Sequence, residues 1–297
     1  MRRLLATAAA LATLGGAWPA GPAPNADLPP AIYADPAPDS AHPARMAVLH
    51  IPSGGVKING VAYLASGAGS HPTLVLLHGL PGNEKNLDLA QAIRRDGWNV
   101  VTFNYRGSWG SPGVFRFGQN LEDADAVLAY VRDPANVQAL GIAPGCVVMA
   151  GHSMGGWVTV TTAAHHPDLA GIVTISAGDM AGLGAAPQAI RVKEMADNME
   201  SLAGVTAESM AEDVTGMTRY PMTAAASGLV QTPYLALTSD DGLAAGTDAL
   251  VRAVRAAGGT QVTTEHVTTD HSWSDHRVAL EAAVLTWLEK LRAARGC

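Results

Sequence analysis

Ser153 stands in the run Gly151, His152, Ser153, Met154, Gly155, Gly156, directly after an apolar stretch ending at Ala150 and before a segment of helical length. This G-x-S-x-G spacing suits a nucleophile on a sharp strand-to-helix turn, where a Cβ two residues to either side of the serine would strike backbone as the chain doubles back. A serine hydroxyl is a weak nucleophile until a base takes its proton, and the base needs a carboxylate to fix its tautomer and balance its charge. Candidates for both lie downstream. Ser239, Asp240, Asp241 and Gly242 follow the apolar stretch 234–238. Asp241 is preferred as the acid, because Gly242 suits the tight turn that would aim its carboxylate, and Asp240 is the alternative. For the base, His271 lies in the loop 269–273, after a strand-like segment. Its rival, His276, falls where Asp275 opens the C-terminal helix and would point along that helix. His165 and His166 close the helix that follows Ser153, His266 lies within a strand, and all three suit structural roles.

Acyl transfer also needs two N–H donors for the developing oxyanion. The residue after the nucleophile, Met154, supplies one, and the compact loop His78, Gly79, Leu80, Pro81, Gly82 offers the other at Leu80. His78 precedes the serine in the chain and is read as an organiser of that loop.

These residues need a scaffold that presents several loops at one edge. Short unbroken apolar runs at 73–77, 99–104, 146–150, 171–176, 234–238 and 261–267 read as strands covered on both faces, which implies a mostly parallel sheet. Between them, helical patterns run at 86–96, 120–131, 155–166, 247–257 and 276–294. An antiparallel hairpin at 46–51 and 56–64 opens the domain, turning at Ser53, Gly54 and Gly55. One insertion, 179–229, breaks the rhythm with helical sequence carrying Met180, Met195, Met199, Met210, Met217 and Met222. A segment of that size with its own helices reads as a lid, its methionines adapting either to substrate or to the body beneath.

Composition bounds the rest. With 48% hydrophobic and 15% charged residues the chain is globular, and its formal charge of −7 with scattered Lys and Arg offers no stripe for a phosphate backbone, so nucleic acid is not an expected partner. Arg2 and Arg3 followed by the Leu- and Ala-rich stretch to Ala17 read as a signal peptide over 1–23, implying a secreted or periplasmic protein with no membrane segment in its mature chain. The Pro- and Ala-rich stretch 24–45 reads as a flexible leader, leaving 46–297 as one domain. Two cysteines, Cys146 and Cys297, make no disulfide framework; a pair between them is disfavoured but left open, and Cys146 is read as a small core residue.

Together HGLPG, NYRGSWGS, GHSMGG, SDDG and DHSWSDHR resemble the α/β-hydrolase superfamily over nearly the whole chain after the leader. Within it the sequence looks most like serine hydrolases: carboxylesterases, lysophospholipase-like enzymes and serine aminopeptidase-like members. The resemblance implies an α/β-hydrolase fold with a helical lid between two late strands. It implies Ser153 as nucleophile, Asp241 as acid, His271 as base, Leu80 and Met154 as oxyanion donors, and a supporting role for Arg106 and Gly107. It implies no cofactor and no metal. A serine at the elbow separates the chain from the epoxide hydrolases and haloalkane dehalogenases that resemble this architecture and use an aspartate there.

The expected activity is hydrolysis of a small-molecule carboxylic ester. The alternative is a serine aminopeptidase or amidase, for which Glu194, Asp197, Glu200, Glu208, Glu212 or Asp213 would anchor an ammonium group. A non-catalytic binding protein of the same fold is disfavoured, since it would have no reason to keep the full set of reactive residues.

Overall fold

A computed structural model describes residues 28–297. The expected signal peptide lies outside the described residues, as does the start of the leader.

The core is an eight-stranded sheet in the order β1-β2-β4-β3-β5-β6-β7-β8, built from β1 (Arg45–Ser53), β2 (Val56–Leu64), β3 (His71–Leu77), β4 (Asn99–Phe103), β5 (Ile142–His152), β6 (Gly171–Ile175), β7 (Tyr234–Ser239) and β8 (Val262–Val267). The hairpin β1–β2 and the β2–β4 pair are antiparallel, and every later pairing is parallel. Unbroken apolar strands are explained by two cores, one on each face. Leu74 and Leu76 of β3 join the cluster under α1 (Leu87–Arg95) and α9 (Arg277–Arg295), while Val75 and Leu77 join the one under α2 (Phe117–Arg132), α4 (Met154–Ala163) and α8 (Ala244–Ala256). The same alternation divides Val148 from Met149 in β5 and Leu235 from Ala236 in β7. Strand β8 departs from the expectation: Thr263, Thr264, Glu265 and His266 are exposed, because this strand closes the sheet edge and only one side has a partner.

Two further elements went unexpected. Helix α3 (Pro134–Leu140) starts on the Asp133 side chain, which accepts from the N–H groups of Ala135 and Asn136, has Pro134 in its first turn, and ends at left-handed Gly141. Within the leader, Pro30–Ile32 forms a 3-10 turn whose Ala31 is buried in the α1/α9 cluster, and Arg95 donates to the carbonyls of Ala31 and Ile32. That part of the leader is docked.

Of the two outcomes left open for the cysteines, the disfavoured one is found. Cys146 and Cys297 form a disulfide across a separation of 151 residues. The end of α9 passes the start of the central strand β5, and left-handed Gly296 turns the last residue inward.

The insertion holds α5 (Met180–Ala185), α6 (Gln188–Ala196), α7 (Ala207–Asp213) and two 3-10 segments, Val214–Arg219 and Met222–Leu229. Met180, Met195, Met210, Met217 and Met222 are buried in the core on the α4 face, with Met199 packed against it. The insertion is thereby fastened to the body.

Candidate active site

Strand β5 runs out at His152, and Ser153 turns the chain into α4 with φ +55° and ψ −125°. A non-glycine residue in the left-handed region is strained, and such strain persists only where its surroundings over-determine it. Here the Ser153 N–H donates to Ile175 O (3.0 Å), while its carbonyl accepts from Gly156 N (2.9 Å) and Gly178 N (3.0 Å). The flanking glycines are a steric requirement. A Cβ on Gly151 would fall 2.1 Å from Gly155 O, and one on Gly155 would fall 2.4 Å from Leu77 O.

Met154 opens α4, so its N–H is among the first-turn donors that no intrahelical carbonyl satisfies. The loop after β3 lies against the serine: a Cβ on Gly79 would be 2.7 Å from Ser153 Cβ. Two aromatic residues from the stretch after β4 brace that loop. Tyr105 Oη donates to His78 O (3.4 Å), and Trp109 Nε1 donates to Pro81 O (2.8 Å). His78 is buried edge-on against the Tyr105 ring, with Nδ1 2.7 Å from Gly79 O. Burial, aided by nearby Lys85 and only partly opposed by the Gly79 carbonyl, pushes its pKa down to about 4. It is a neutral organiser of the loop. Arg106, next to Tyr105 in the chain, is anchored by buried Asp123 (2.6 Å) and by Glu122 (2.6 Å).

The two aspartates after β7 diverge. Asp241 Oδ2 lies 2.7 Å from His271 Nδ1, and its Oδ1 accepts from Leu243 N (2.8 Å). The Asp241 side chain is 4% exposed and that of His271 38%. Burial pulls the Asp241 pKa upward, but the bonds from His271 and Leu243, the charge on His271 and the Ser239 hydroxyl outweigh it and hold the carboxyl below its ordinary range. Asp240 faces the exposed edge and pairs with His266 Nε2 (2.9 Å), whose Nδ1 meets Thr238 Oγ1 (2.9 Å). His276 caps α9 and contacts Asp275 (2.8 Å).

Ser153, Met154, Leu80, Asp241 and His271 line one cavity of about 740 Å³. Its wider walls are Met180, Leu183, Ile190, Met195 and Leu243, with Asp179, Glu194 and Asn198 as polar members and no Lys or Arg. Of the acidic residues expected as ammonium anchors, Glu194 alone reaches the cavity; Asp197 pairs with Lys193 (3.1 Å) and Asp213 accepts from Phe117 N (2.8 Å). Asp179, at the start of α5, was not anticipated as a lining residue. The role of His152 was not anticipated either: its Nε2 lies 2.9 Å from His271 O. The elbow motif placed His152 beside the serine, but its partner is 119 residues away and invisible to spacing. Among the described residues no group of three or more His, Cys, Asp or Glu could hold a metal ion, and no helix is long and apolar enough to cross a membrane.

Comparison with known proteins agrees with this architecture. Residues 72–216 match the family model described as alpha/beta hydrolase fold. The thermostable carboxylesterase EstE1, cloned from a metagenomic library, superposes with a TM-score of 0.58 at 19% identity over 85% of this chain and 90% of its own. The esterase of Pyrobaculum calidifontis gives 0.62 at 20% over 86% and 87%. Est1E of Butyrivibrio proteoclasticus, solved with ferulic acid bound, gives 0.62 at 18% over 82% and 99%. No curated protein matches the sequence. The chain has the α/β-hydrolase fold.

Proposed function

We propose that the protein is a serine hydrolase that cleaves carboxylic esters through an acyl-enzyme on Ser153. The observation that carries this reading is the 2.7 Å Asp241–His271 bond, on the same cavity as a serine held in strained backbone. Ser153 Oγ attacks the ester carbonyl carbon while His271 Nε2 takes its proton, and the tetrahedral oxyanion accepts from the N–H groups of Leu80 and Met154. His271 then protonates the leaving alcohol. Water, deprotonated by the same nitrogen, attacks the acyl carbon and releases the acid and free Ser153. Esterases among the solved relatives support this chemistry at the level of the fold.

A cavity of about 740 Å³ with apolar walls suits a small or medium acyl group. Asp179 and Glu194, with no cation among the lining residues, favour neutral esters over anionic ones. The helical insertion 179–229 acts as a specificity lid, since Met180, Leu183, Ile190 and Met195 come from it. The basic and apolar N-terminus, together with the Cys146–Cys297 pair, supports export to an oxidising compartment, secreted or periplasmic.

The second reading, a serine aminopeptidase or amidase on the same residues, draws on Glu194 and Asp179 as anchors for an ammonium group. The test is hydrolysis of p-nitrophenyl esters of graded chain length beside aminoacyl p-nitroanilides, with Ser153→Ala as control. Ester turnover that the variant abolishes is the expected result. Turnover of anilides alone would favour the peptidase, and full activity in Ser153→Ala would reject both readings.

A further inference from the structure

We propose that His152 is a positioning residue for the base, fixing where His271 faces Ser153 through a hydrogen bond to the His271 backbone and a ring contact beneath its imidazole. This rests on the assignment of Ser153 and His271 made above.

The geometry is specific. His152 is buried at the end of β5, paired in register with Ile175 of β6, and its Nε2 lies 2.9 Å from the His271 carbonyl. A carbonyl only accepts, so Nε2 carries the proton and Nδ1 holds a lone pair. Nδ1 is buried with no partner among the described residues. A second proton there would be an unpaired buried charge. Burial first, then His271 and Arg277, push the His152 pKa down to about 4 against the His271 carbonyl bond and the more distant Asp241. The ring therefore stays a neutral donor while His271 cycles its proton.

Its effect follows from what else holds His271. Asp241 fixes Nδ1, a single point about which an imidazole can pivot. The loop is tied further along, where Trp273 Nε1 donates to Ser176 Oγ (3.0 Å) and Arg277 donates to Ser272 O (2.8 Å). Neither contact touches residue 271. His152 supplies the missing points: a bond to the His271 backbone, and a ring whose centroid is 4.7 Å from the His271 ring at a 43° tilt. Because His152 and Ser153 are consecutive, the base is referenced to the nucleophile through one peptide bond. A misplacement of about 1 Å at a reacting group can cost on the order of 100-fold in rate.

The experiment compares His152→Phe, which keeps a ring and loses the donor, with His152→Gln, which restores a donor, using a p-nitrophenyl ester turned over by the unaltered protein. For His152→Phe, kcat falls roughly 10- to 100-fold with KM within about twofold, and His152→Gln recovers most of that loss. An unchanged kcat in His152→Phe, or a change confined to KM, overturns the proposal. Should His152→Phe fail to fold, histidine nitrogen NMR of the unaltered protein decides. A neutral Nε2–H ring that does not titrate between about pH 5 and 8 is expected, and titration in that interval or the Nδ1–H tautomer overturns it. Ser153→Ala and His271→Ala run alongside separate the failures: if those keep activity, the underlying triad reading has fallen; if they are inactive while His152→Phe is not, only this inference has.

Discussion

Replacing Asp241 by asparagine reverses the tautomer of the base, and the reason lies in the contact at its other oxygen. Asp241 Oδ1 accepts from the Leu243 backbone N–H at 2.8 Å, while Oδ2 faces His271 Nδ1 at 2.7 Å. An asparagine has one acceptor oxygen, and the Leu243 amide can only donate, so the carbonyl oxygen must turn to Leu243 and the NH2 to His271. Nδ1 then has to accept, the proton moves to Nε2, and the base can no longer take one from Ser153. In a serine protease the corresponding tautomer error costs about 10⁴ in kcat, close to 5.4 kcal/mol of transition-state stabilisation. A loss of about 10³ to 10⁴ in kcat/KM is expected here. The neighbouring Asp240→Asn serves as the internal control. It removes a pair with His266 between side chains that are 54% and 50% exposed, which contributes about 0–1 kcal/mol to stability and nothing to the reaction. The assay is steady-state hydrolysis of one p-nitrophenyl ester by both variants, with thermal melts alongside. Retention of more than about a tenth of the activity in Asp241→Asn, or a loss of more than tenfold in Asp240→Asn, would refute the reasoning. The pH dependence carries the same sign. With its carboxyl held below the ordinary aspartate value of 3.8, Asp241 adds stability that is fully present above that pH and is lost as pH falls through the lower folded value. Acid unfolding of Asp241→Asn should lack this contribution.

The disulfide gives a further expectation: Cys297→Ser opens a link across 151 residues and should cost about 2–5 kcal/mol. The melting temperature should drop by roughly 5–15 °C with kcat unchanged, and an equal drop on adding reductant to the unaltered protein identifies the bond as the cause. Gly155→Ala should be harmful to both fold and reaction, since its Cβ would lie 2.4 Å from Leu77 O and 2.7 Å from His78 O, both backbone atoms that cannot step aside. A destabilisation of about 1–3 kcal/mol with a fall in kcat would be read by thermal melts and ester turnover.

Much of the architecture was legible because the cues are local. The parallel strands announced themselves as unbroken apolar runs, and the structure accounts for this: neighbouring residues such as Leu74 and Val75 go to opposite cores. The Ser153 elbow was legible because its glycines answer a steric need within five residues of sequence. The choice between Asp240 and Asp241 was open, since both follow the same strand and only the position of β8 and its His266 shows which carboxylate faces the edge. The Cys146–Cys297 pair could not be read from two cysteines at remote positions, because it depends on how far α9 travels before it ends beside β5. The bond from His152 to His271 was hidden for the same reason. Strand β8 was misjudged as covered on both faces, as its Thr, Glu and His residues already hinted, and Ala31 was overlooked because a leader rich in proline can still dock one small side chain.

The most direct test of the central claim is covalent labelling with an alkyl organophosphonate, followed by intact mass and peptide mapping. One adduct per chain, on Ser153, formed at the rate at which ester hydrolysis disappears and absent from Ser153→Ala, is the predicted result. Hydrolysis that persists with Ser153 unlabelled, or an adduct on another residue that tracks the loss of activity, would contradict it.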